Sequence, residues 1–201
     1  MPRLFIALDF VDSVTDQLCT LPGDLPVATW VDPDSLHLTL RFIGEVSQNR
    51  LIEIRESLHR VRQTSFFISL VGLGLFPLRG DPETLWMGVE SPDNGLTQLR
   101  HRIDRALAHA QIGPEGRKFH PHVTLAGVKN CQPRWLGHYL AENGLKKIEG
   151  IAVEQFVLYS SQRSPGGAVY YEEERFALSG VLTEEDRETL DDDEINDLTD
   201  N

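Results

Sequence analysis

The chain has 201 residues, 40% of them hydrophobic and 25% charged, enough for one ordinary core; this excludes a chain disordered throughout and a long two-domain enzyme. No run approaches the ~18 apolar residues of a membrane span, and residues 4–8 form too short an apolar run for a signal-peptide core, so a soluble, cytoplasmic protein is expected. The formal charge of −12 is uneven: residues 183–201 hold ten acids against Arg187 alone, a net −9, whereas residues 100–147 carry nine basic residues against three acids.

Residues 3–10 are rich in Phe, Ile and Leu and predict a buried strand, followed by a helix over 12–21 and a loop over 21–33 that contains three prolines. Residues 36–43 alternate strictly. Leu36, Leu38, Leu40 and Phe42 fall on one face, and His37, Thr39 and Arg41 on the other. Leu51, Ile54, Leu58 and Val61 predict a helix over 48–63, and 66–76 and 84–90 predict strands around a turn-rich segment at 77–82. Leu96, Leu99, Ile103 and Leu107 mark a helix to about residue 110. Residues 119–126 then alternate like the earlier strand, with His120, His122 and Thr124 on one face. A short helix over 133–142 and strands over 153–160 and 168–178 complete the domain, for which residues 1–182 are taken. Strands outnumber helices and several neighbours are joined by short turns, which favours an α+β fold with antiparallel pairing. The segment 183–201, acidic and free of aromatics, reads as a disordered appendage.

A His-x-Thr-x tetrapeptide occurs twice, as His37-Leu38-Thr39-Leu40 and His122-Val123-Thr124-Leu125. The two-residue period of a strand puts each imidazole and its hydroxyl on one face, about 7 Å apart. Two such strands facing one another would make a cleft equipped for displacement at phosphorus, where one group takes a proton from the attacking oxygen and another gives one to the leaving oxygen. Histidine suits both tasks near neutral pH, and threonine hydroxyls would donate to nonbridging phosphate oxygens. Spacing alone does not say which histidine is the acid. His120 and His122 could form a metal pair, but no third ligand accompanies them at metal-site spacing, so neither metal nor cofactor is expected. His59, His101, His109 and His138 fall on predicted helices without a partner pattern. Cys19 and Cys131 form no CxxC and are expected to be reduced and buried.

With these motifs the chain resembles the two-histidine (2H) phosphoesterase superfamily, in its RNA 2',3'-cyclic phosphodiesterase branch, also called 2'-5' RNA ligases. The resemblance covers about residues 1–180. It includes Arg3-Leu4-Phe5-Ile6-Ala7, Trp30-Val31, Leu40-Arg41-Phe42-Ile43-Gly44, Gly72-Leu73-Gly74-Leu75-Phe76-Pro77, Leu85-Trp86-Met87-Gly88-Val89 and Phe119-His120-Pro121-His122. It implies a bilobal, pseudo-twofold α+β fold with two antiparallel sheets lining a groove and helices outside. It also implies hydrolysis of a terminal 2',3'-cyclic phosphate on RNA or an oligonucleotide, tRNA fragments included, by a monomer without metal. In that implied scheme His37 is the proton donor, His122 the proton acceptor, and Thr39 and Thr124 bind substrate. Rival readings are a phosphodiesterase for small cyclic or 2'-5' linked nucleotides, and an RNA-binding module with an idle catalytic pair. Many relatives place an arginine five residues after the second motif histidine, where this chain has Gly127. Arg41, on the polar face of its strand, or Lys129 is expected to supply that charge.

Overall fold

The computed structural model describes residues 2–21, 25, 28–76, 83–129, 131–164 and 167–180. The first strand, β1 (Arg3–Asp9), leads into α1 (Asp12–Cys19), a short strand β2 (Ala28–Trp30), a single 3₁₀ turn (Pro33–Ser35), the first motif strand β3 (His37–Glu45) and α2 (Gln48–Leu58). Then follow β4 (Phe66–Phe76), β5 (Glu83–Glu90), α3 (Gly95–His109), the second motif strand β6 (His122–Val128), α4 (Pro133–Asn143), β7 (Lys147–Val153), β8 (Gln155–Ser164) and β9 (Gly167–Ala177). The order strand, helix, motif strand, helix therefore occurs twice, as β1–α1–β3–α2 and as β5–α3–β6–α4.

Among the described residues the named strands all pair antiparallel, in the order β7-β4-β5-β6-β3-β1-β8-β9, with β2 paired to β6. The two sheets expected from the resemblance are thus the halves β7-β4-β5-β6 and β3-β1-β8-β9, joined edge to edge through one pairing, Leu38 with Val123. The half that carries β3 is completed from far along the chain, since β1 lies between β3 and β8.

Helical spacing and strand alternation converge on one core. Leu51, Ile54 and Leu58 of α2 and Leu96, Leu99, Ile103 and Leu107 of α3 are buried in the same apolar cluster as Ile6, Leu38, Leu40, Leu70, Leu85 and Met87 of the strands. The Ser47 hydroxyl accepts from the Arg50 amide and so caps an otherwise unpaired donor at the start of α2.

Several local expectations are corrected. Helix α2 stops at Leu58, and Val61 reaches the core from a turn in which its amide donates to the Leu58 carbonyl. The second motif strand begins at His122 rather than residue 119, because Pro121 has no amide hydrogen to give a ladder. Strand β7 escapes a reading based on alternation: Lys147, Glu149 and Gly150, the last with φ +64°, interrupt its apolar residues. Cys19 is exposed and Cys131 only half-buried, not buried as expected; Cys19 follows inward-facing Leu18 and is rotated off the apolar stripe of α1. The expectations for the 77–82 turn and the 183–201 appendage lie outside the described residues.

Candidate active site

Both motif histidines are held by the same device, built from different sequences. Ahead of β3, the Asp32 carboxylate accepts from the Asp34 amide at 3.0 Å and Pro33 starts the 3₁₀ turn. The turn ends with the Ser35 carbonyl 2.7 Å from His37 Nδ1. Ahead of β6, Pro121 holds His120 out of the helical region, and the His120 carbonyl lies 2.6 Å from His122 Nδ1. A carbonyl only accepts, so each Nδ1 carries the hydrogen and donates it. Each Nε2 is thereby left as the reactive nitrogen.

The pairing of Leu38 with Val123 sets His37 across from Thr124 and Thr39 across from His122. The two imidazoles lie diagonally across this seam, and positive charge on His122 acts on His37. On the His122 side of the seam lies a groove of about 230 Å³ lined by Thr39, Phe42, Phe76, Arg100, His120 and His122, among others; His37 and Thr124 stand next to it across the seam and are not among its lining residues.

Aromatic rings back both imidazoles. His37 packs against Phe5 at 5.1 Å and edge-on to Tyr170 at 5.2 Å. His122 packs edge-on to Phe76 at 4.8 Å and to Trp86 at 6.2 Å. Room for the Trp86 indole comes from Gly74 on the neighbouring strand, where a Cβ would stand 2.2 Å from the ring. Burial pushes both histidines below the ordinary imidazole value, against the carbonyl bonds, which raise them; His37 is lowered further by His122, and His122 by His120.

Arg41 departs from expectation. The alternation of β3 is broken by a bulge: Ile6 pairs with Arg41 and Ala7 with Thr39, leaving Leu40 as an extra residue. Thr39 stays on the groove face, whereas Arg41 turns to the helical face with Leu40 and is 4% exposed. There its Nε donates to Asp104 at 2.8 Å, Nη1 donates to the Phe42 carbonyl, and Glu115 is 3.4 Å away. The side chain expected to contact phosphate is instead tied into α3 and the loop after it. The same bulge brings Phe42, 49% exposed, onto the groove face.

A matching bulge occurs in β6, where Trp86 pairs with Thr124 and Leu85 with Ala126, leaving Leu125 extra. Gly127 therefore returns to the groove face, between Thr29 of β2 and Thr84 of β5. Phe42 and Gly127 are corresponding positions, each five residues after its motif histidine. Lys129 is exposed beyond the end of β6 and is not among the groove-lining residues.

The cations that do line the groove are Arg100, Arg117 and Lys118. Arg100 lies 4.3 Å from the centre of the Phe119 ring and within 3.6 Å of both Asp104 and Glu115. Arg117 and Lys118 are exposed. Sequence reasoning counted these three as charge without assigning them to the cleft; the neighbouring Phe119-His120-Pro121-His122 run was the available signal. Among the described residues no three His, Cys, Asp or Glu side chains converge as a metal site, and no helix is long and apolar enough to cross a membrane.

Comparison with known proteins finds relatives along most of the chain. A sequence model described as LigT-like phosphoesterase matches residues 9–86 and 88–170. The chain is similar to an RNA 2',3'-cyclic phosphodiesterase of Thermotoga maritima, 36% identical over 174 residues, covering 84% of this chain and 91% of that one. It is also similar to an RNA 2',3'-cyclic phosphodiesterase of Escherichia coli, 31% identical over 189 residues and covering 88% and 97%. Among solved structures, E. coli LigT complexed with 3'-AMP superposes with a TM-score of 0.69 at 28% identity, covering 90% of this chain and all of that one. TT0787 of Thermus thermophilus gives 0.70 at 28% identity, with 89% and 98% covered.

Proposed function

Because the chain belongs to the LigT-like phosphoesterases, we propose that it opens terminal 2',3'-cyclic phosphates of RNA, with residues 1–182 as the catalytic unit and the two motif histidines as its acid–base pair. His122 Nε2 takes a proton from water, whose oxygen bonds to phosphorus. The bond from phosphorus to the 3' oxygen breaks, His37 Nε2 protonates that oxygen, and a 2'-phosphate remains. Thr39 and Thr124 donate to the nonbridging oxygens, where charge accumulates. Arg117 and Lys118 supply cationic charge, and Arg41 is outside the phosphate contacts. The same groups run the reverse joining of a cyclic phosphate to a 5'-hydroxyl, and water at ~55 M sets the net direction to hydrolysis. Substrates are RNA or oligonucleotide ends, tRNA fragments among them, and the enzyme is a cytoplasmic monomer.

The observation that carries this reading is the matched pair of imidazoles, each fixed at Nδ1 by a backbone carbonyl two residues upstream and set across from the other motif's threonine. The test is turnover of an oligonucleotide with a 2',3'-cyclic end beside that of a 2',3'-cyclic mononucleotide and a 2'-5' linked dinucleotide, all in chelator. The oligonucleotide is expected to be opened fastest, with no loss to chelator. Activity that vanishes in chelator and returns with zinc or manganese would move His120 and His122 into a metal site.

The lowered histidines fix a pH dependence. The rising limb of kcat/KM reports loss of a proton from His122, the falling limb loss from His37, and the two values belong to the pair because the sites interact. With both groups pushed down, the bell is expected to centre below about pH 6.5; a centre above pH 7 would contradict the assignment. The unfolded chain takes up these protons more readily than the fold does. Stability therefore declines as pH falls from about 6.5 through the lowered values.

Gly127 offers a gain of function. An arginine there would leave the groove face between two threonines. A charge-assisted bond to phosphate is worth about 1.5–3 kcal/mol, so Gly127→Arg is expected to raise kcat/KM roughly 10- to 100-fold. The gain should appear mainly in KM. An unchanged KM would mean that Arg117 and Lys118 already saturate the phosphate.

A further inference from the structure

Away from the groove, α2 and α3 present a second concentration of charge. Arg60, Arg62, Arg102, Arg105 and His109 line a hollow of about 310 Å³ whose other lining residues are Val61 and Ala106, with no carboxylate. Arg62 and Arg102 spend part of their donors on backbone: Arg62 on the His59 and Val61 carbonyls, Arg102 on the Arg62 carbonyl. Arg60 and Arg105 hold no partner among the described residues. The adjoining hollow shares Arg60 and His109 and contains Glu53, already paired to Arg50, and Glu56. Four guanidinium groups thus gather where α2 ends and α3 passes it, with Glu56 the unpaired carboxylate nearby.

The last described residues, Ser179 and Gly180, lie beside this patch. The Ser179 amide donates to the Gln63 carbonyl at 2.7 Å, the Ser65 amide to the Ser179 carbonyl at 3.1 Å, and the Ser65 hydroxyl to the Gly180 carbonyl at 2.8 Å. Gln63 directly follows Arg62, and Gly180 has φ +99°. Arg62 lies about 10 Å back along the chain from Ser65. Glu184, four residues beyond Gly180, can reach up to ~14 Å. Beyond it come Glu185, Asp186, Glu188 and the run Asp191-Asp192-Asp193-Glu194.

We propose that the acidic segment 184–194 docks in cis on the arginine patch between α2 and α3, formed by Arg60, Arg62, Arg102 and Arg105. The tether favours this occupant over an RNA in trans, because a linker of a few residues gives an effective concentration in the millimolar range. Docking neutralises the patch and withholds it from RNA phosphates, so nucleic acid is directed to the groove, where Arg117 and Lys118 stand. The interaction is electrostatic and exposed, and salt weakens it.

The test uses the full ¹⁵N-labelled chain and a synthetic peptide of residues 183–201. At about 20 mM salt the amide shifts of 184–194 are expected to differ from those of the free peptide. They are expected to converge on the peptide values at ~0.5 M salt, and at low salt in the Arg60→Glu/Arg105→Glu variant. Should that variant fail to fold, the salt comparison on the unmodified chain decides alone. Peptide-like shifts at low salt in the unmodified chain overturn the proposal, as do differences that survive salt. A single-stranded oligonucleotide with a plain 3'-hydroxyl that shifts α2 and α3 amides while tail amides stay peptide-like would make the patch an RNA surface instead. Because this probe has no cyclic phosphate, the result is independent of whether the catalytic reading holds.

Discussion

Replacing His37 or His122 by alanine is expected to lower turnover of a cyclic-phosphate oligonucleotide by roughly 10²- to 10⁴-fold, the usual worth of a positioned acid or base. The double variant should be little worse than either single one, since a proton taken without a proton delivered completes no reaction. Both imidazoles are half-buried and stand outside the apolar core cluster, so the variants should keep the circular-dichroism spectrum and melting behaviour of the parent. The pair also differs in surroundings: His37 rests on Phe5 and Tyr170, and His122 on Phe76 and Trp86. Near-parent rates in either purified single variant would remove the two-histidine mechanism.

Arg41→Ala is expected to act on stability instead of substrate binding. Arg41 and Arg100 share Asp104 and Glu115 beneath the groove, and removing Arg41 leaves two carboxylates facing one guanidinium. Breaking a buried pair by deleting one partner costs about 3–5 kcal/mol. Here the lower end applies, because the Asp104 side chain keeps 35% of its exposure. For a chain of this size about 3 kcal/mol is a fall in Tm of roughly 6–12 °C. At temperatures where the variant is folded, KM should be nearly unchanged. A stable variant with a greatly raised KM would return Arg41 to the phosphate.

These two expectations also mark how far the sequence could be read. Period-2 alternation located β3 and β6, helical spacing located α2 and α3, and the His-x-Thr pattern placed each imidazole and its hydroxyl on one face of its strand. Those features follow from side-chain pattern, which a sequence displays directly. A bulge does not, because one extra residue leaves composition and spacing unchanged while it reverses every side chain beyond it. Strict alternation therefore sent Arg41 to the cleft and Phe42 to the core, and the structure exchanges them. The same device in β6 returns Gly127 to the groove face, which counting along the strand would have placed opposite His122. Strand β7 escapes the pattern for a different reason: its lysine, glutamate and glycine sit on an edge strand, where pairing is decided by a partner distant in sequence. The groove cations Arg117 and Lys118 were visible as charge, but only the tertiary fold brings their loop to the histidines.

The place of β1 between β3 and β8 has a consequence for how the molecule is made. Strand β1 leaves the ribosome well ahead of β8, its second neighbour, which follows about 150 residues later. Until then β1 exposes one unsatisfied edge, apolar on the face that will be buried, and the half carrying His37 is incomplete. The half carrying His122 has its four strands in hand once β7 emerges. Assembly during synthesis is therefore ordered: the later half closes first, and the earlier one waits for the hairpin of β8 and β9 to seal it. Such distant pairing makes folding slow and leaves an edge open to wrong partners in the interval.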